Sequence, residues 1–206
     1  MRLNAWAVFA VGFLGTSACA QESKIDPEAA AVIARTHETH ATYSLYNWVV
    51  LPDQRSPHEE WNAEFHDGTS HRVETPRDRL IADCAAETGT HLNVETDQIT
   101  RAPGIARAAC GIDSNAEILS ARVLEHGDGV FGPTTTLEIT DARNVRTYVI
   151  AQNGAIVAQT IADRNGKQVL TQHAVAMIDR VADDIFSEQS LASSAVAEEF
   201  RRKPAA

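Results

Sequence analysis

The spacing of apolar residues along this chain switches from a helical to a strand pattern near residue 43. Before that point Ala29, Val32, Ile33, Thr36, His37 and His40 recur at helical spacing. Asp26-Pro27-Glu28 opens that helix with an N-cap, a proline at the first helical position and an acid in the first turn. From Tyr43 the pattern alternates every second residue. Tyr43 to Leu51 is aromatic and β-branched and predicts a strand, and Pro52 to Pro57 predicts a turn. Glu59 to Phe65 sets Trp61, Ala63 and Phe65 on one face and Glu60, Asn62 and Glu64 on the other. Asp67-Gly68 marks a hairpin, and Ser70 to Thr75, Arg77 to Cys84 and Thr88 to Glu95 follow as strands. Ala102 to Ala109 predicts a short helix or loop. Glu117 to Leu124, Thr134 to Thr140, Val145 to Gln152, Ala155 to Ala162 and Lys167 to Met177 predict sequential antiparallel strands. Two of their connections are Asn153-Gly154 and Asn165-Gly166, strong hairpin signals read as type I′ turns. Asp183 to Phe186 predicts a weak helix before a polar tail.

These elements describe a mainly β protein with few helices. One antiparallel sheet of nine or more strands is too large to stay flat and must curl to cover its apolar face. The expected architecture is an open half-barrel with an N-terminal helix and lid or plug helices.

The first twenty residues carry a different pattern. A positive start at Arg2, an uncharged run from Ala5 to Leu14 and the small-x-small triplet Ala18-Cys19-Ala20 read as a signal peptide cleaved between Ala20 and Gln21. A ten-residue apolar run is too short to span a bilayer. Cys19 offers a second reading as a lipid anchor, although Thr16 stands where that motif carries leucine. The expectation is an exported, periplasmic protein with residues 21–206 as one β-rich domain, a monomer without a transmembrane segment.

With a net charge of −10 the chain repels nucleic acid and anionic headgroups, so neither is expected as a partner. Cys84 and Cys110 remain after cleavage. In an oxidising compartment an even pair is most simply a disulfide, and neither sits in a C-x-x-C motif or beside a basic cluster that would favour a reactive thiol or a metal ligand.

Candidate chemistry is sparse. There is no G-x-S-x-G elbow, phosphate-binding glycine loop or dinucleotide fingerprint, and no cofactor is called for. His37 and His40 lie three apart on one helical face, where two imidazoles can share a metal, yet a zinc site needs a third or fourth ligand and no H-E-x-x-H links them. His66 and His71 flank the Asp67-Gly68 turn and can converge. The adjacent carboxylates Glu59-Glu60, Asp183-Asp184 and Glu198-Glu199 point apart and read as solvated charge. Tyr43, Tyr46, Trp48, Trp61 and Phe65 cluster early, either as plain core or as the lining of an apolar pocket.

The stretch Trp61 to Asp97 resembles the periplasmic outer-membrane lipoprotein carriers (LolA/LolB-like). His71-Arg72-Val73-Glu74-Thr75-Pro76 and Leu80-Ile81-Ala82-Asp83 echo the middle strands of that family. Gly154 to His173, with the polar turn Asp163 to Gln168, is similar to its late hairpin, and Asp184-Ile185-Phe186 to its closing segment. Cys84 stands where that family carries glycine. The resemblance implies a half-closed antiparallel barrel, helices as a lid, and an apolar hollow that takes lipid acyl chains. The functional expectation is a non-catalytic carrier of lipid or of a lipid-modified partner, with Tyr43, Tyr46, Trp48, Trp61 and Phe65 lining the hollow. Two rivals are a periplasmic metal-dependent hydrolase built on the histidines and a structural envelope protein with a solid core.

Overall fold

The computed structural model describes residues 24–37, 41–52, 58–112 and 117–201. The signal-peptide reading, with Cys19, Ala20 and Gln21, lies outside them, as do His40 and most of the Pro52 to Pro57 turn. Helix α1 (Pro27–His37) follows a two-residue strand β1 (Lys24–Ile25). Asp26 caps it as expected: its Oδ1 accepts from the Glu28 amide at 2.9 Å and its carbonyl from the Ala30 amide at 2.9 Å. The first meander is β2 (Thr42–Leu51), β3 (His58–Asp67), β4 (Ser70–Glu74), β5 (Asp78–Asp83), β6 (Thr88–Asn93) and β7 (Gln98–Arg101). Helix α2 (Pro103–Ala109) leads to the second: β8 (Ser120–Gly129), β9 (Gly132–Thr140), β10 (Asn144–Ala151), β11 (Ile156–Asp163) and β12 (Gln168–Ile178). A short 3-10 helix (Glu188–Ala192) and α3 (Glu198–Arg201) close the described chain.

All twelve strands form one sheet in the order β1-β8-β9-β10-β11-β12-β2-β3-β4-β5-β6-β7. Its two ends, β1 and β7, do not pair with each other, so the sheet is an open, curled half-barrel rather than a closed barrel. Pairing is antiparallel throughout except at β1, which runs parallel to β8. β1 and β7 escaped the sequence reading because each is short and exposed at every position, leaving no alternation to detect.

The two Asn-Gly hairpins form, but not with the expected type I′ turns. Only Gly154 (φ +89°) and Gly166 (φ +84°) carry positive φ there, while the asparagines do not. Gly166 donates to the Asp163 carbonyl at 3.0 Å and Asp163 to the Lys167 carbonyl at 2.8 Å, a type I turn followed by a glycine in the left-handed region. The weak helix expected at Asp183 to Phe186 is instead a turn, in which Asp184 takes φ +63°.

α1 lies on the inner face of the second meander, where Ala29 and Val32 pack with Ile112, Ala121, Leu137, Ile139, Tyr148 and Ile150. α2 lies on the inner face of the first, so close that a Cβ on Gly89 would meet Ile105 at 2.7 Å. The disulfide between Cys84 and Cys110 ties the exit of α2 to the end of β5. The outer face of the first meander is covered by the C-terminal segment. There Ile185, Val196, Phe186 and Phe200 pack on Tyr46, Trp48, Trp61, Ala63 and Phe65. Beneath that segment lies a buried ion pair: Arg72 Nε donates to Glu74 Oε1 at 2.7 Å, and neither residue has exposed area. Arg72 also donates to the carbonyls of Ile185 at 2.6 Å and Ser193 at 2.7 Å, and Glu74 accepts from Ser194 Oγ at 2.6 Å and the Ala195 amide at 2.8 Å. The tail is therefore fastened by polar contacts as well as by aromatic packing.

Candidate functional site

The inner face holds a cavity of about 310 Å³. Its wall includes Leu80 of β5 and Tyr148 of β10, strands separated by six pairings in the sheet order. In a flat sheet they would stand roughly 29 Å apart, at about 4.8 Å per pairing. One small cavity reaches both only because the sheet wraps around it.

α1 and α2 roof this space. Thr36 Oγ1 accepts from the Ile112 amide at 3.2 Å, and the His37 ring bonds the Ile112 carbonyl. Gly111 sits between them at φ +84°, and a Cβ there would meet the Thr36 carbonyl oxygen at 2.7 Å, so glycine is required on both counts. The disulfide contributes directly to the wall.

The wall is two-natured. Val73, Leu80, Ile112 and Ile156 supply apolar surface, whereas Tyr43, Asn62, Glu64, His66, His71 and Gln172 supply a polar floor. Strand parity explains the floor. Tyr43 pairs with His66, and His66 with His71, so their side chains share the inner face. Glu64 joins them two positions along β3. His66 and His71 meet across the β3–β4 hairpin with Nδ1 atoms 2.9 Å apart, so one ring donates and the other accepts. Tyr43 stacks on His66 with centroids 5.3 Å apart. His71 is 4% exposed, and its Nε2 has no hydrogen-bond partner. No basic side chain pairs with Glu64 among the described residues; the Arg146 guanidinium, also on the wall, lies 3.0 Å from Asp141.

Burial sets the protonation of these groups. It pushes the Glu64 carboxyl up to about 7, against a hydrogen bond from Gln172 that lowers it. It pushes His71 down to about 3, and the neighbouring His66 adds to that. It also raises the Tyr43 phenol, with the Glu64 charge contributing. Glu64 therefore stabilises the fold fully below its ordinary value of 4.5, and that contribution is lost as pH rises through 7. His71 acts oppositely: its contribution is complete above 6.5 and is lost as pH falls through 3. The difference in unfolding free energy between the native protein and His71→Gln should shrink on acidification from pH 6 to 4 by about 1.4 kcal/mol per pH unit. Urea titrations across that range measure it, and a difference independent of pH would contradict a neutral, buried His71.

The sequence-expected aromatic lining divides between the two faces. Tyr43 lies on the cavity wall. Tyr46, Trp48, Trp61 and Phe65 lie on the outer face under the C-terminal segment, where Phe200 meets Tyr46 with centroids 4.7 Å apart and Trp48 at 5.8 Å. Their register settles this: Tyr46 pairs with Ala63 and Trp48 with Trp61, all of the parity opposite to Tyr43. The convergence of His66 and His71 was readable from their symmetric places around Asp67-Gly68. Glu64 and Gln172 were missed because a polar stripe on an alternating strand reads as solvent-facing, and here it faces an enclosed space. Of the histidine pair considered for metal binding, His37 is engaged in the roof and His40 lies outside the described residues. Among the described residues no three His, Cys, Asp or Glu side chains converge to hold a metal ion.

No protein-family model matches this chain, and no curated protein matches it. Solved structures do. The complex of Pseudomonas aeruginosa MucA/MucB matches with 11% identity over 78% of this chain and 60% of that one, at a TM-score of 0.56. This chain thus spans about three-fifths of the length of that neighbour. An uncharacterized conserved protein from Thermus thermophilus matches with 12% identity over 81% of this chain and 94% of that one, at a TM-score of 0.54. A LolA superfamily protein from Nitrosomonas europaea matches with 11% identity over 79% of this chain and 99% of that one, at a TM-score of 0.43. The likeness to the first two is distant, and it establishes the fold and no more.

Proposed function

We propose that this chain is a non-catalytic binding module of the cell envelope, whose inner cavity receives the acyl end of a lipid or of a lipid-modified partner. One observation carries this reading: the curled sheet does not fill its hollow, and two helices roof the space instead of plugging it. A volume of about 310 Å³ stands at the low end of small-molecule pockets, which run from about 300 to 1,000 Å³. Val73, Leu80, Ile112 and Ile156 are the surface against which methylenes would be buried, at about 0.8 kcal/mol for each. The fold likeness to MucB, a protein solved in complex with MucA, favours binding over chemistry. The disulfide favours an oxidising compartment, in line with export through a signal peptide. A structural protein with a solid core accounts less well for a roofed, unfilled hollow.

Native mass spectrometry of protein purified from the periplasm, with displacement of a fluorescent fatty acid in solution, tests this function. A co-purifying lipid and saturable displacement are expected. Val73→Trp, which fills the cavity from β4, should weaken fatty-acid binding at least tenfold while circular dichroism shows an unchanged β-sheet. Absence of both lipid and displacement would refute the carrier reading.

A further inference from the structure

The cavity floor has a chemical character that acyl burial does not use. It carries one carboxyl group, Glu64, with no cation beside it among the described residues, and one imidazole nitrogen, His71 Nε2, with no hydrogen-bond partner. Glu64 and His71 are diagonal neighbours on the inner face, since Glu64 pairs with Val73 and His66 with His71. Both line the same cavity as the stacked Tyr43 and His66 rings. A carboxyl group without a cation beside it, an imidazole nitrogen without a hydrogen-bond partner and a stacked aromatic pair share one complement. A group with several N–H donors and a positive charge can ion-pair with the carboxylate, donate to the imidazole and sit against the aromatic faces.

We infer that the cavity selects amphiphiles bearing a primary ammonium group, which Glu64 and His71 hold while the alkyl part lies against Val73, Leu80, Ile112 and Ile156. This rests on the preceding proposal only in placing a ligand in this cavity. It goes further in assigning the head group. For His71 to accept, its Nδ1 carries the proton and donates to His66 Nδ1, leaving Nε2 with a lone pair. An anionic head group meets the opposite situation, because Glu64 repels it and the one guanidinium on the wall among the described residues, that of Arg146, is already beside Asp141.

Charge state gives the inference a pH signature. Among the described residues, the polar groups that share the cavity wall with Glu64 include Tyr43 on β2, His66 on its own strand, His71 on β4, Arg146 and Tyr148 on β10, Gln172 on β12 and His37 at the end of α1. Tyr43 is held neutral by burial, and His71 stays neutral down to about 3. Glu64, raised to about 7, changes charge near neutrality.

Isothermal titration of the full mature protein with hexylammonium, hexanol and hexanoate tests the assignment. At pH 8 hexylammonium should bind at least tenfold more tightly than hexanol, with hexanoate weakest. Its affinity should fall about tenfold at pH 6 as Glu64 takes up a proton, while that of hexanol stays constant. Glu64→Gln should abolish the ammonium preference and keep hexanol binding, and the pH comparison on the native protein stands in if that variant does not fold. Hexanol or hexanoate binding as tightly as hexylammonium overturns the inference and leaves the acyl-binding reading intact. So does an ammonium preference that survives Glu64→Gln or shows no pH dependence. If no probe binds and the fluorescent fatty acid is not displaced, both readings fall.

Discussion

Glu74→Ala is expected to destabilise the protein by about 3–5 kcal/mol, because it strands the buried Arg72 charge. Arg72 has no exposed area, so water cannot take over from the lost carboxylate. The carbonyls of Ile185, Ser190 and Ser193 still accept from Arg72, but they carry only partial charge. The Ser194 hydroxyl and the Ala195 amide lose their acceptor in the same step. Equilibrium unfolding in urea, followed by far-UV circular dichroism, measures the loss. The double variant Arg72→Met/Glu74→Leu should recover part of it by removing both charges, though not all, since the tail carbonyls then lack a donor. A single variant within about 1 kcal/mol of the native protein would show that the pair is not a buried anchor.

Removing the disulfide ranks second. Cys84 and Cys110 close a loop with a sequence separation of 26. On the chain-entropy model, Cys84→Ala/Cys110→Ala should cost about 3.5 kcal/mol. The effect should also reach the cavity, because the bridge forms part of its wall and fixes the exit of α2, against which α1 closes through Thr36 and Ile112. Fatty-acid displacement should therefore weaken under dithiothreitol at temperatures where the sheet stays folded. Displacement insensitive to reduction would mean that the roof holds without its covalent tie.

The sheet was largely legible because most of its strands alternate cleanly. β9 to β12 fell within a few residues of their expected ends, and Asp26-Pro27-Glu28 located the first turn of α1. All five early aromatics are expected on the hollow, yet the structure places Tyr46, Trp48, Trp61 and Phe65 on the outer face, for a definite reason. Composition says that Trp61 and Phe65 are apolar and that Glu60 and Glu64 are polar, but not which stripe faces the hollow. A long tail can bury an outer face, and here Val181, Ile185, Phe186, Ala195, Val196 and Phe200 do so. The parity of β2 and β3 does contain part of the answer. Tyr43 and Tyr46 differ by three positions, so no regular strand can aim both into one pocket. Arg72 and Glu74, read as members of a family motif, proved to be the fastening of the tail. That role depends on residues more than a hundred positions away and leaves no local trace.

The strand order also bears on how the chain reaches its native state. Within each meander, neighbours in the sheet are neighbours in sequence, so β2 to β7 and β8 to β12 assemble through short-range closures. The junction of β12 with β2 is different: it brings Thr171 beside Val50 and Ile178 beside Ser44, from opposite halves of the polypeptide. Loop-closure entropy makes such a junction the slowest to form. Until that junction closes, each half-sheet keeps a bare edge. During that interval the unpaired edge of β2 is the place where a nascent molecule is most exposed to pairing with the wrong partner.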